Sequence, residues 1–330
     1  MFNKLYEKFK EYIIVIDIFL ILLVISLIPL PYYIIGSDGV TNTNTKVAVE
    51  NGYSSKGTFN ISFITQKNAN LTSIIKAWIR NDEDIEKQES TKTEKNNNNY
   101  YGALDLEQAK DDAIIVAYKH ANKKTEVQSK HFYVAYVDDS AKTDLKAKDE
   151  IISINDILIE DSKDISKIVA SYEEGTTLII KVKNEGSEFT RSATTYYGED
   201  ERLIMGIALV EDKEYITNPH ITVNFLKEES GPSGGLMLAL EIYDQLTEKD
   251  YTNGLKIAGT GTIDALGKVG AVGGIKYKLR GAVDAKCDLF LIPKEVNYEE
   301  ALKETAKNNY NIKIIPINTF EEAIDYLDNL

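Results

Sequence analysis

The chain has 330 residues, enough for two or three domains, and 52 acidic against 38 basic residues give it a formal charge of −14. That balance argues against a nucleic-acid partner, because no strong Lys/Arg run stands outside the first dozen residues. A single cysteine, Cys287, excludes an internal disulfide and any CxxC site. His120, His131 and His220 lack metal-ligand spacing, so neither a metal nor another cofactor is expected.

Residues 1–11 carry Lys4, Lys8 and Lys10 and read as a short cytoplasmic N-terminus. Residues 12–35 form an apolar run broken only by Asp17, long enough to predict a single transmembrane anchor, with Tyr12, Tyr32 and Tyr33 at aromatic-belt positions. No small-residue cleavage site follows it. The lysines before the run and the single Lys46 soon after it predict that everything beyond lies outside the cell membrane.

Residues 36–126 read as a linker and N-terminal extracytoplasmic region. Within them, Phe59, Ile61 and Phe63 alternate as in a strand. Leu71, Ile74, Ile75 and Trp78 suggest a helix, and Asn96–Asn99 suggests an exposed loop. Leu106–Tyr118 again has helical spacing. Residues 127–197 turn to short strands around one helix, Asp164–Tyr172. The run from Leu145 through Asp149 to Ile154-Asn155 resembles the signature of PDZ domains, which bind an extended peptide as an added strand. Lys148 and Asp156 stand where that pattern usually has glycines.

Residues 198–330 alternate strands and helices around one core, and two segments there carry chemistry. In Ser230-Gly231-Pro232-Ser233-Gly234-Gly235 a glycine-flanked serine precedes an apolar helix, whose N-terminal dipole suits a developing oxyanion. The plain alternative is an N-cap serine after a turn. In Gly273-Gly274-Ile275-Lys276 a lysine opens a helix, where the dipole, burial and the nearby cations Lys278 and Arg280 would depress its pKa. The plain alternative is a solvated helix lysine.

Taken together, Gly231-Pro232-Ser233-Gly234-Gly235 and Thr260-Gly261…Gly267-Lys268-Val269…Gly273-Gly274-Ile275-Lys276 resemble the proteolytic domain of Lon. The 43 positions from Ser233 to Lys276 agree with that family's serine–lysine dyad. The resemblance implies Ser233 as nucleophile, Lys276 as general base and Thr260 as the hydroxyl that orients the amine. Gly234 replaces a common alanine, and Ser230 stands where Lon usually has an acid.

Anchor, PDZ-like region and Lon-type domain in this order resemble the PDZ-containing Lon-like proteases of low-GC Gram-positive bacteria. The expected fold class is therefore α+β and multi-domain: a transmembrane helix, a β-rich PDZ-like domain and a C-terminal Lon-type α/β proteolytic domain. The expected activity is hydrolysis of peptides or unfolded proteins at the outer face of the membrane. It would be independent of ATP, since no Walker loop is present. The resemblance also makes a homo-oligomer possible. A non-catalytic PDZ-type peptide-binding or scaffold protein is the competing reading.

Overall fold

The computed structural model describes residues 2–80, 83–88 and 92–330. Helix α1 (Phe2–Leu27) leads into strand β1 (Pro29–Asn42), and the apolar run divides there. Pro29 disfavours helical backbone at the residue before it and, like Pro31, has no N–H to give. Beyond it, Tyr32–Ile35 pair with the strand Asp84–Lys87 instead (Tyr32↔Lys87 to Ile35↔Asp84). The helical part of the run, Tyr12–Leu27, spans about 24 Å against the roughly 30 Å of a hydrocarbon core. No helix among the described residues is long and apolar enough to cross a membrane. The anchor expected over 12–35 is therefore corrected to a helix ending at Leu27, followed by a strand.

The expected linker is also corrected, because residues 36–126 build much of the unit that holds Ser233. After β1 come β2 (Val47–Val49), β3 (Thr58–Asn70), α2 (Leu71–Arg80), β4 (Asp84–Lys87) and α3 (Lys92–His120). The asparagine tract expected as a loop lies within the backbone of α3. Phe59, Ala113, Ile114, Val116, Ala117 and Tyr118 from this half pack in one core with Leu236–Leu240 from the far end of the chain.

The chain then leaves this unit and returns to it. Strands β5 (Lys124–Val137), β6 (Glu150–Ile154) and β7 (Ile157–Leu158) are followed by α4 (Ser162–Ala170), β8 (Thr177–Asn184) and β9 (Ser187–Thr194). Then come β10 (Tyr196–Tyr197), β11 (Leu203–Ile204) and β12 (Ile207–Asn218). The main sheet runs β12-β5-β6-β8-β9, and Phe132, Ile151, Ile154, Ile165, Leu178 and Ile180 form a core of their own. The expected boundary at 197 falls short, since β12 pairs with β5 along its whole length, Ile207↔Val137 to Asn218↔Lys124. The unit built from β5 to β12 is an insertion within the unit that holds Ser233.

The turns that lack glycine still form. Lys148 (φ 76°), Asn155 (φ 46°) and Asp156 (φ 64°) adopt left-handed backbone, which Asn and Asp tolerate better than other non-glycine residues. Fully buried Asp149 holds the first turn, accepting from Lys146 N at 2.8 Å, Asn184 Nδ2 at 2.7 Å and Arg191 Nε at 3.1 Å.

The second half of that unit supplies β13 (Ile221–Val223), α5 (Gly235–Leu246), β14 (Lys256–Gly259), β15 (Thr262–Ile263), β16 (Val269–Gly270) and α6 (Ile275–Asp284). It ends with β17 (Leu289–Pro293), α7 (Asn297–Asn308), β18 (Lys313–Ile317) and α8 (Phe320–Asp328). The shared sheet runs β18-β17-β14-β3-β1-β4, with β14 parallel to both β3 and β17. Side chains alternate between its two faces: Ile257 and Leu291 join the core with α3, α5 and α8, while Ala258 and Phe290 join the core with α6 and α7. Cys287 is a buried thiol in the second core, as its apolar context predicts.

Candidate active site

Ser233 is half-buried, just before α5, a helix buried on nearly every face. Such a helix tolerates Glu241 only because Thr43 Oγ1 (2.6 Å) and Gln245 Nε2 (2.7 Å) both donate to it. The loop before Ser233 is pinned by both halves of the unit. Asn224 N donates to Lys46 O at 2.9 Å, buried Lys46 pairs with Glu229 at 2.5 Å, and Gly231 N donates to Gly102 O of α3 at 2.6 Å. A Cβ on Gly234 would lie 3.0 Å from Ile61 Cδ1, so an alanine there would press on β3.

On the far side, Ser233 O accepts from Gly261 N at 2.8 Å and from Thr260 Oγ1 at 3.0 Å. Thr260 is fully buried, and its Oγ1 accepts in turn from Lys278 Nζ at 3.1 Å. Lys278 is 3% exposed, and burial pushes its amine down to about 8. A buried, partly deprotonated amine is thus joined to the serine's backbone through one hydroxyl.

Lys276, the base expected from spacing, lies elsewhere. Its side chain is 42% exposed, and its amine pairs with Asp84 of β4. Tyr277 Oη also donates to Asp84, at 2.5 Å. The hydrogen bonds from Lys276 and Tyr277 hold the Asp84 carboxyl below its ordinary range, while burial, with Asp84 beside it, raises the Tyr277 phenol. An amine paired with a carboxylate at the surface, away from Ser233 and Thr260, is poorly placed to take the serine proton. The expected role of Lys276 is corrected on this geometry: of the two lysines, Lys278 is the one on the inner face of α6. The missed signal was helical period, since Ile275, Lys278, Leu279 and Ala282 are spaced i, i+3, i+4, i+7, and all four are buried. Gly274 sets the start of that helix at φ 70°, where a Cβ would lie 2.0 Å from Ile64 Cδ1.

Ser233 opens onto a groove of about 520 Å³ whose apolar wall includes Ile61, Phe63, Leu106, Phe225, Leu226 and Leu238. Among the described residues no cluster of His, Cys, Asp and Glu could hold a metal ion.

Residues 212–327 match the family of the Lon protease (S16) C-terminal proteolytic domain. The likeness of this C-terminal segment to the Lon proteolytic domain supports a serine peptidase of Lon type. The Lon protease of Campylobacter jejuni is 35% identical over 99 residues, covering 30% of this chain and 12% of that protein. The Lon protease of Clostridioides difficile is 41% identical over 98 residues, covering 29% and 12%. The chain thus spans about 12% of the length of these curated relatives. Among solved structures, the PDZ domain of an SdrC-like protein from Listeria monocytogenes is 23% identical, covering 24% of this chain and 86% of that one, with a TM-score of 0.23. The PDZ domain of the Listeria innocua SdrC-like protein is 22% identical, covering 24% and 92%, also with a TM-score of 0.23. The Lon-type match begins inside β12, so it takes in only the second half of the catalytic unit.

Proposed function

We propose that this chain is a serine endopeptidase in which Ser233 attacks the peptide carbonyl and Lys278 takes the serine proton. The observation that carries this reading is the buried Lys278 amine on Thr260, whose hydroxyl also holds Ser233 O. A neutral amine accepts the Ser233 proton as Oγ bonds to the carbonyl carbon. The resulting ammonium protonates the leaving amine, and the same amine later activates water for deacylation. The N-terminal end of α5 faces the region where the oxyanion develops. Without a Walker loop in the sequence, the substrates are short peptides or chains already unfolded, cleaved without ATP.

The enzyme works at a membrane, held by α1. Tyr12, Ile13, Ile16, Ile18, Val24 and Ile25 are exposed apolar side chains spread around that helix, which fits hydrocarbon better than water. Lys4, Lys8 and Lys10 in its first half and local bilayer thinning accommodate its short apolar length. The lysine asymmetry favours the outer face. A ring assembly rests on resemblance alone and is tested by sedimentation in detergent.

The deciding experiment measures cleavage of an unstructured fluorogenic peptide, without ATP, by wild type, Ser233→Ala, Lys278→Ala and Lys276→Ala. Loss in the first two with near-normal activity in the third is expected. Activity surviving in Ser233→Ala would overturn the mechanism, and loss in Lys276→Ala with survival in Lys278→Ala would return the base to Lys276.

A further inference from the structure

Helix α2 (Leu71–Arg80) is apolar on two sides. Its inner side, Ile74 and Ala77, packs against Ile34 and Ala69. Its outer side exposes Leu71, Ile75, Trp78 at 80% and Ile79 at 72%, spaced i, i+4, i+7, i+8. A surface helix normally turns polar residues outward, and four large apolar ones in a stripe call for an apolar neighbour. The stripe does not come from a frayed helix. Its first turn is closed reciprocally, Ser73 N donating to Asn70 Oδ1 at 2.8 Å and Asn70 N to Ser73 Oγ at 2.9 Å.

What lies beside the stripe names the occupant. Thr72 Oγ1 donates to Ser26 O at 3.4 Å, so α2 sits at the C-terminal end of α1. There Val24, Leu27 and Ile28 are exposed, and Tyr32 and Ile85 continue the apolar surface onto β1 and β4. Exposed Lys76 lies on α2 itself, placed to meet phosphates. A partner protein's groove would grip one side of a helix, whereas from Tyr12 to Leu27 α1 exposes apolar side chains all round, Asp17 apart, and α2 exposes them on its outer side only. That is the pattern of one helix immersed in lipid and one lying in the interface, with an amphipathic ring at headgroup depth.

We propose that α2 is an interfacial docking helix that seats the catalytic unit against the lipid bilayer, with Trp78 at headgroup level. This rests on the membrane reading of α1, and it adds a second contact that fixes the distance and tilt of the Ser233 groove relative to the bilayer.

Trp78 is the only tryptophan in the chain, so its fluorescence reports on α2 alone. The full-length protein is reconstituted into phosphatidylcholine–phosphatidylglycerol vesicles, floated on a density gradient, and its emission recorded with lipids brominated at shallow or deep chain positions. The expected result is a blue shift, quenching that is stronger for shallow bromines, and protection from aqueous iodide. A chain that floats but whose tryptophan stays iodide-accessible and unquenched by bromolipid overturns the docking of α2 and leaves the membrane reading intact. A chain that does not float overturns both. A blue shift without lipid, accompanied by dimers in sedimentation, assigns the stripe to a second copy and also overturns the proposal.

Discussion

The insert and the catalytic unit that surrounds it are built by opposite strategies. The insert is local: β5 to β12 follow one another, its core draws on residues 132–205, and its one charged anchor, Asp149, is satisfied by neighbours within the same unit. The catalytic unit is assembled from two stretches of chain, with β3 beside β14 (Thr58↔Lys256) and Phe59 in the same core as Leu291. Its chemistry follows the same rule: Lys46 and Gly102 come from before the insert, Ser233, Thr260 and Lys278 from after it.

The sharpest break between the two regions is chemical. Lys278→Met should abolish peptide cleavage, lowering kcat by about three orders of magnitude or more, as loss of a catalytic unit's member does. It should also stabilise the fold. The Lys278 amine is lowered to about 8 in the folded chain, so below that pH it is charged in both states and the folded state bears the full desolvation cost. That cost fades as pH rises from about 8 towards the ordinary lysine value. Methionine removes it, for a gain of up to about 3 kcal/mol at pH 7. In the wild type, kcat/KM should rise about tenfold per pH unit and level off above about 8, as the amine loses its proton. A fall in melting temperature in Lys278→Met, or a flat pH profile, would argue against a buried amine as base.

Removing the insert tests whether the seam closes by itself. The two crossings lie side by side: Lys124 is paired with Asn218, and Tyr118 Oη donates to Pro219 O at 2.6 Å. Replacing residues 125–217 with a two-residue turn should leave the catalytic core folded and a short peptide cleaved within a few-fold of wild type. Cleavage of a long unfolded substrate should fall about tenfold or more through KM, if the insert recruits chain by strand addition. Equal kinetics on both substrates would make the insert a spacer.

What could be read from the sequence follows the same divide. The strands and helix of the insert were legible because each is a local pattern, and so was the position of Ser233 before a helix. The part that residues 36–126 take in the same unit as Ser233 was not legible, because nothing local tells a strand such as Thr58–Asn70 that its partner is Lys256–Gly259. The anchor was over-read because a hydropathy count does not register that Pro29 ends the helix. Spacing alone favoured Lys276, yet burial follows helical period, and the apolar residues Ile275, Leu279 and Ala282 share their face with Lys278.

Thr260→Val sharpens the picture of the seam from inside. Valine keeps the volume but removes the acceptor for Lys278 Nζ and the donor to Ser233 O. Activity should fall roughly tenfold to a hundredfold through kcat with KM little changed, a smaller loss than that of Ser233 or Lys278. Stability should drop by about 1–3 kcal/mol, because a buried amine loses its partner. Thr260→Ser, which retains the hydroxyl, should restore most of both. Failure of serine to rescue would mean that Thr260 acts through its methyl packing.

The smallest effect is expected where α3 meets the insert. Asp111 on α3 is buried, one of its carboxylate oxygens has no hydrogen-bond partner, and its backbone-donated bond comes from Lys213 of β12. Around it lie Lys110 at 3.8 Å, Glu107 and Asp112 on α3, and Asp212 on β12. Burial pushes the Asp111 carboxyl up to about 7, with Lys110 opposing and Asp212 adding to the rise. A carboxyl raised on folding favours the folded state below its ordinary value near 4, and that contribution is lost as pH climbs towards about 7. Asp111→Asn abolishes this titration, so the fall in stability between pH 5 and pH 8 should shrink by about 1–2 kcal/mol in urea unfolding. Short-peptide cleavage should stay unchanged, since Asp111 touches no residue of the site. If the pH dependence of the variant matched that of the wild type, the Asp111 carboxylate would be solvated. The insert would then pack more loosely on α3 than the burial of this side chain implies.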